Sequence, residues 1–195
     1  MFRLHKPTDP KWANLAESNL QEILTDHAFC EQKAASNAIS LIVTYPELDE
    51  LVSRMSALAS EEMEHFQRVH EIILRRGWSL GRERKDHYVN QLLGYIRKGG
   101  NREEALIERL LFAALIEARS CERFKVLSEN IRDVELAQFY HELMISEANH
   151  YTLFLSLARK YGSRSGIDVD KRWEEFLAFE GEIIEQYGIT ERIHG

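Results

Sequence analysis

Cysteine is scarce in this chain: Cys30 and Cys121 are the only two in 195 residues. Two thiols cannot build a disulfide framework, and both fall in stretches of helical character, which marks them as reduced and packed. Three prolines leave long segments without a helix breaker. Long apolar runs are missing too. No stretch approaches the roughly eighteen uninterrupted apolar residues of a membrane span, and Met1 to Pro10 has no apolar leader segment, so the expected location is the cytoplasm and no membrane is expected as a partner. Excess positive charge is also lacking. A net charge of −7 argues against a nucleic-acid surface spread over the whole molecule.

What is present is helix-forming sequence. With 44% hydrophobic and 29% charged residues, and long stretches rich in Ala, Leu, Glu and Arg, the class is all-α. The length suits one compact core, so a single domain over residues 1–195 is expected. Thr8-Asp9-Pro10 reads as the start of a short helix to about Ser18. Four long helices follow. They cover about Leu20–Thr44, ending before Pro46; Leu48–Arg76, ended by Gly77; Arg102–Ser128; and Val134–Tyr161, closed by Gly162. A short helix within Asp86–Arg97 and a last amphipathic one over about Lys171–Gln186 complete the set.

Two Glu-x-x-His clusters lie inside these patterns: Glu62-Met63-Glu64-His65 and Glu147-Ala148-Asn149-His150. Glu and His at i and i+3 share one helix face, so both can reach one ion from the same wall. At an offset of 85 the second half of the chain repeats the first, with Glu62 on Glu147 and His65 on His150. In the preceding helices Glu31 falls on Glu117 at an offset of 86. The pseudo-repeats span about 20–77 and 102–162, each a helical hairpin that supplies Glu and then Glu-x-x-His. Four carboxylates and two imidazoles from four helices are the ligand set of ferritin-like di-metal bundles, whose single long crossover the segment Trp78–Asn101 would provide. Glu31, Glu62, His65, Glu117, Glu147 and His150 are therefore the expected metal ligands, and hard oxygens with one imidazole per ion suit iron or manganese. A third match, Glu191-Arg192-Ile193-His194, has no repeat partner and is assigned nothing. Glu61 and Glu64 are not at i−3 from His65, and Glu122 breaks the repeat. His27, one turn before Glu31, and Cys121, one turn after Glu117, project toward the same interior. Ala113 and Ala114 would leave room there for a substrate.

Positive charge is concentrated in two places. Arg75–Arg102 has a local balance of +6 and Leu157–Arg172 of +3. In a bundle with one crossover, Arg97, Lys98 and Arg102 return to the same end as Arg159, Lys160 and Arg164, forming one basic rim for phosphates.

Four runs carry a more specific likeness: Asp26-His27-Ala28-Phe29-Cys30-Glu31-Gln32-Lys33-Ala34-Ala35, Glu61-Glu62-Met63-Glu64-His65-Phe66, Ile116-Glu117-Ala118-Arg119-Ser120-Cys121-Glu122-Arg123-Phe124 and Ser146-Glu147-Ala148-Asn149-His150-Tyr151. Together they resemble the tRNA 2-methylthio-isopentenyl-adenosine hydroxylases (MiaE), over nearly the whole chain. The resemblance implies two iron ions on those six ligands, dioxygen as co-substrate and an external electron donor or reductase. It also implies a tRNA anticodon loop as substrate, with one oxygen atom entering the terminal allylic carbon of the isopentenyl group. Rival readings are iron handling or peroxide reduction, hydroxylation of a lipid or small molecule, and a metal-free helical module. Oligomeric state is open between a monomer and a small oligomer.

Overall fold

The computed structural model describes residues 2–187 and Ile193. Glu191 and His194, the ends of the unassigned third Glu-x-x-His match, lie outside the described residues. Among those described, seven α-helices and no strand are present: α1 (Trp12–Ser18), α2 (Leu20–Thr44), α3 (Asp49–Arg75), α4 (His87–Tyr95), α5 (Arg102–Asn130), α6 (Val134–Ser165) and α7 (Val169–Tyr187). The described chain gathers into two compact units, one holding residues 18–85 and the other residues 2–17 and 86–187. Each contains one long hairpin, α2–α3 in the first and α5–α6 in the second.

Both hairpins are built on seven-residue stripes. In α2 the buried positions run Leu24, Ala28, Glu31, Ala35 and Ala38; in α3 they run Leu51, Met55, Leu58, Glu62, His65, Val69 and Ile72. The same alternation of three and four residues gives Ile107, Leu110, Ala114, Glu117, Cys121 and Phe124 in α5, and Leu136, Tyr140, Leu143, Glu147, His150, Phe154 and Leu157 in α6. Such spacing keeps one seam of each helix against its partner. The acids and histidines expected as ligands stand in these seams, in positions a packing argument would reserve for apolar side chains.

Helix ends follow local chemistry. Asn101 and Glu104 form a capping box at α5, while Asp86 and Asp133 cap α4 and α6 with their side chains. Gly77, at φ 75°, follows α3, with the Trp78 N–H donating to the Ile73 carbonyl. One expectation needs correction. Gly162 does not close α6, which continues to Ser165 and ends at Gly166 in the left-handed region, φ 68°. Gly162 is small for another reason: the chain turns back over it, and a β-carbon there would run into Val169 Cγ2. Before α1, Thr8 turns toward α5. Its N–H and Oγ1 both donate to Glu122, at 2.6 and 2.5 Å, and Asp9 takes the local capping role by accepting from the Lys11 N–H.

The second unit contains a buried ionic cluster behind α5. Arg119, with no exposed surface, donates from Nε and Nη2 to Glu180 Oε1 on α7 (2.8 and 2.5 Å) and from Nη1 to Glu122 (2.8 Å). Tyr88 of α4 donates to the same Glu180 oxygen. Burial works against the charge of Arg119, but Glu180, Tyr88 and Glu122 outweigh it and hold the guanidinium above its usual range. Burial raises Glu180 despite the arginine beside it. Removing the cation strands a buried carboxylate. Arg119→Met is therefore expected to destabilise the fold by about 3–5 kcal/mol in urea or thermal unfolding. The deficit should shrink in acid. A carboxyl whose folded pKa lies above its unfolded value gives up stability as pH rises through that window, and without Arg119 the Glu180 window widens.

Candidate metal centre

In the α2–α3 unit, Glu31, Glu62 and His65 each present a ligand atom within 4.8 Å of the others. His65 Nδ1 lies 3.4 Å from Glu62 Oε2 and 3.7 Å from Glu31 Oε2. In the α5–α6 unit, Glu117, Glu147 and His150 converge within the same limit, and His150 Nδ1 lies 3.4 Å from Glu147 Oε2. All six residues are buried. The two Glu-x-x-His pairs thus repeat in geometry as well as in spacing, each turning Nδ1 toward its own glutamate.

This donor set fits a metal ion. Each unit offers two carboxylates and one imidazole, without thiolate, in a buried pocket between two helices, which is the chemistry of iron or manganese rather than of a structural zinc site. Two ionised carboxylates this close and this dry are costly without a compensating cation.

The other expected residues fall in varied places. His27 is fully buried and its Nε2 lies 2.6 Å from Glu31 Oε1. Cys121 is buried, donates through Sγ to the Met144 carbonyl at 3.0 Å, and has its pKa pushed up to about 12 by burial and then by the charge of Glu147. It is a packed, protonated thiol. Glu122 is engaged with Thr8 and Arg119.

Of the six basic residues expected on one rim, two are tied to acids of α7: Arg97 to Glu175 at 2.7 Å and Arg159 to Asp170 at 2.6 Å. Arg164 lies over the Tyr161 ring. Arg102 opens α5, and Lys160 stands exposed near the end of α6. Lys98 lines a cleft of about 680 Å³ formed by the α4–α5 loop, the start of α5 and the α6–α7 turn. Lys171 and Arg172 line it too, residues not singled out from the sequence despite the positive balance of their segment. Arg172 is buried and clamped on Glu108 by Nε and Nη2, at 2.6 and 2.7 Å. The ammonium groups of Lys98 and Lys171 make no ion pair among the described residues.

No helix among the described residues is long and apolar enough to cross a membrane. Helical hairpins with Glu, then Glu-x-x-His, on their buried seams define a ferritin-like carboxylate–histidine protein. A solved structure described as Protein 43 with aldehyde deformylating oxygenase activity from Synechococcus is similar throughout, with a TM-score of 0.90, 34% identity, and coverage of 98% of this chain and 95% of that one. Residues 2–195 match the family model for tRNA-(MS[2]IO[6]A)-hydroxylase (MiaE), and the chain belongs to that family. Two curated relatives carry the name tRNA 2-(methylsulfanyl)-N(6)-isopentenyladenosine(37) hydroxylase. The one from Pseudomonas putida is 38% identical over 96% of this chain and 89% of its own length, and the one from Salmonella typhimurium is 30% identical over 93% and 83%.

Metal analysis checks the ligand set. Purified wild-type protein is expected to carry iron or manganese, Glu62→Ala and Glu147→Ala to lose it, and Glu122→Gln to keep it. Bound metal should be released as pH falls, because the carboxylates and imidazoles must be deprotonated to bind.

Proposed function

We propose that this chain is a non-haem di-iron monooxygenase that hydroxylates the isopentenyl group of 2-methylthio-N6-isopentenyladenosine in tRNA. The observation that carries the reading is the family match along residues 2–195. The buried triads supply chemistry of the right kind. In this reading residues 1–195 act as a single domain, and Glu31, Glu62, His65, Glu117, Glu147 and His150 would hold the ions.

Two iron ions there would activate dioxygen for insertion of one oxygen atom into a carbon–hydrogen bond. The balance is substrate, dioxygen, two electrons and two protons giving alcohol and water, so an external donor must deliver the electrons. The protein's own part is to hold the ions in a dry interior, to keep Cys121 protonated and out of the redox chemistry, and to admit one splayed-out nucleobase. A tRNA substrate places the enzyme in the cytoplasm. Affinity for tRNA would come from a few local cations rather than from overall charge. Lys98 and Lys171 are the leading contacts, with Arg102, Lys160 and Arg164 beside them; Arg97 and Arg159 contribute less because acids of α7 already neutralise them.

The likeness to a protein with aldehyde deformylating oxygenase activity supports a second reading, an oxygenase of a small aliphatic substrate. Nucleoside analysis separates the two. tRNA from cells lacking this protein should retain the isopentenyl group without its hydroxyl, and an unchanged nucleoside profile would reject the tRNA reading. Charge reversal at Lys98 and Lys171 should weaken tRNA binding and flatten its salt dependence, with each lost phosphate contact lowering the slope by about one. Equal affinity in the double variant would remove the cleft from the RNA surface.

A further inference from the structure

We infer that His27 is a positioning residue for Glu31, one that has no histidine counterpart in the α5–α6 triad. The inference rests on the metal-binding reading above and goes beyond the six ligands.

Glu31 uses its two oxygens differently. Oε1 lies 2.6 Å from His27 Nε2, while Oε2 faces His65 Nδ1 at 3.7 Å, the same nitrogen that stands 3.4 Å from Glu62 Oε2. A carboxylate that binds a metal ion accepts hydrogen bonds and donates none, so with an ion bound His27 Nε2 would carry the proton and donate it to Oε1. Both side chains are buried, at 0% and 5% exposure, so this bond has little competition from water. The donor engages one oxygen and leaves the other as a single, directed metal ligand. Groups of this kind fix the orientation of a ligand and hence its affinity.

The repeat does not carry this histidine. At the offset that carries Glu31 onto Glu117, His27 falls on Ala113, whose side chain can donate nothing. The same half has a second unequal pair. Glu61 Oε1 stands 4.0 Å from His65 Nε2, and its counterpart in the other half is Ser146. Six ligands repeat, and the groups behind them do not. His27 is not needed as a seventh ligand, since its Nε2 is committed to the carboxylate it orients.

The test uses full-length protein, stripped of metal by chelation and titrated anaerobically with Fe(II), with Co(II) as a second probe read by its visible absorption. Wild-type protein should bind two ions. His27→Leu should bind one of them about 10- to 100-fold more weakly and leave the other unchanged. His27→Gln, which keeps an N–H donor, should recover most of the loss. Circular dichroism of the metal-free variants verifies the fold, and His27→Ala gives the same comparison if the leucine variant misfolds. Unchanged affinity for both ions in the Leu or Ala variant would overturn the inference, as would equal weakening of both. A Gln variant no better than Leu would make His27 a ligand instead of a positioning group. Wild-type protein that binds no metal would overturn both this inference and the metal-binding reading, whereas two ions with no effect at His27 would overturn this one alone.

Discussion

The burial of carboxylates in helix seams is the constraint from which most of this structure follows. A glutamate at a core position of a seven-residue stripe displaces an apolar contact and brings a charge that water no longer solvates. Glu31 and Glu62 in one hairpin, and Glu117 and Glu147 in the other, impose that cost four times. A histidine three residues beyond the second glutamate of each hairpin offsets little of it, because neutral imidazole carries no charge. A multivalent cation offsets much more. Long, uninterrupted helices are the counterpart of this demand, since they hold ligands in register and pack apolar seams on both sides of them. In α3 Glu62 and His65 sit between Leu58 and Val69, and in α6 Glu147 and His150 sit between Leu143 and Phe154.

The ionic cluster at Arg119 answers a related problem with different means. Helix α5 contributes Glu117 from one face, yet its opposite face is also buried, against α7, α4 and the N-terminal segment. Arg119 and Glu122 occupy that second face. They pair with each other, and Arg119 also pairs with Glu180 Oε1, so a helix with polar residues all round it can still be interior. Arg123 completes the arrangement, with its guanidinium over the Trp12 ring at 4.3 Å. Burial, followed by the neighbouring charge of Arg119, lowers its pKa to about 10. The helix that brings Glu117 into place is thereby fixed from behind by charges as well as by apolar packing.

The periodic features were legible in the sequence and the paired ones were not. Glu-x-x-His, its repeat and the four long helices are all statements about spacing along one chain, and spacing is what a helix converts into direction. Pro46, Gly77 and the capping asparagine and aspartates likewise act within a few residues. Gly162 misled because its role depends on Val169, which reaches it only after the chain turns at Gly166. The ion pairs of the basic segments were hidden in the same way. Counting charges along Leu157–Arg172 gives a positive balance, but Arg159 meets Asp170 and Arg97 meets Glu175 only once α7 has folded back. His27 was visible as a side chain one turn from Glu31. Which glutamate oxygen it holds depends on rotamers that no spacing rule contains.

The two halves therefore carry different kinds of information. Positions 31 and 117, 62 and 147, and 65 and 150 are matched in residue type, as ions of one chemistry would require of both walls. Positions 27 and 113, 35 and 121, and 61 and 146 have diverged: histidine against alanine, alanine against cysteine, glutamate against serine. The matched positions are all carboxylates and imidazoles, and the two halves differ one turn away from them. His27 stands 2.6 Å from Glu31, whereas Glu117 is preceded by Ala113 and Ala114, which carry no polar group and little bulk.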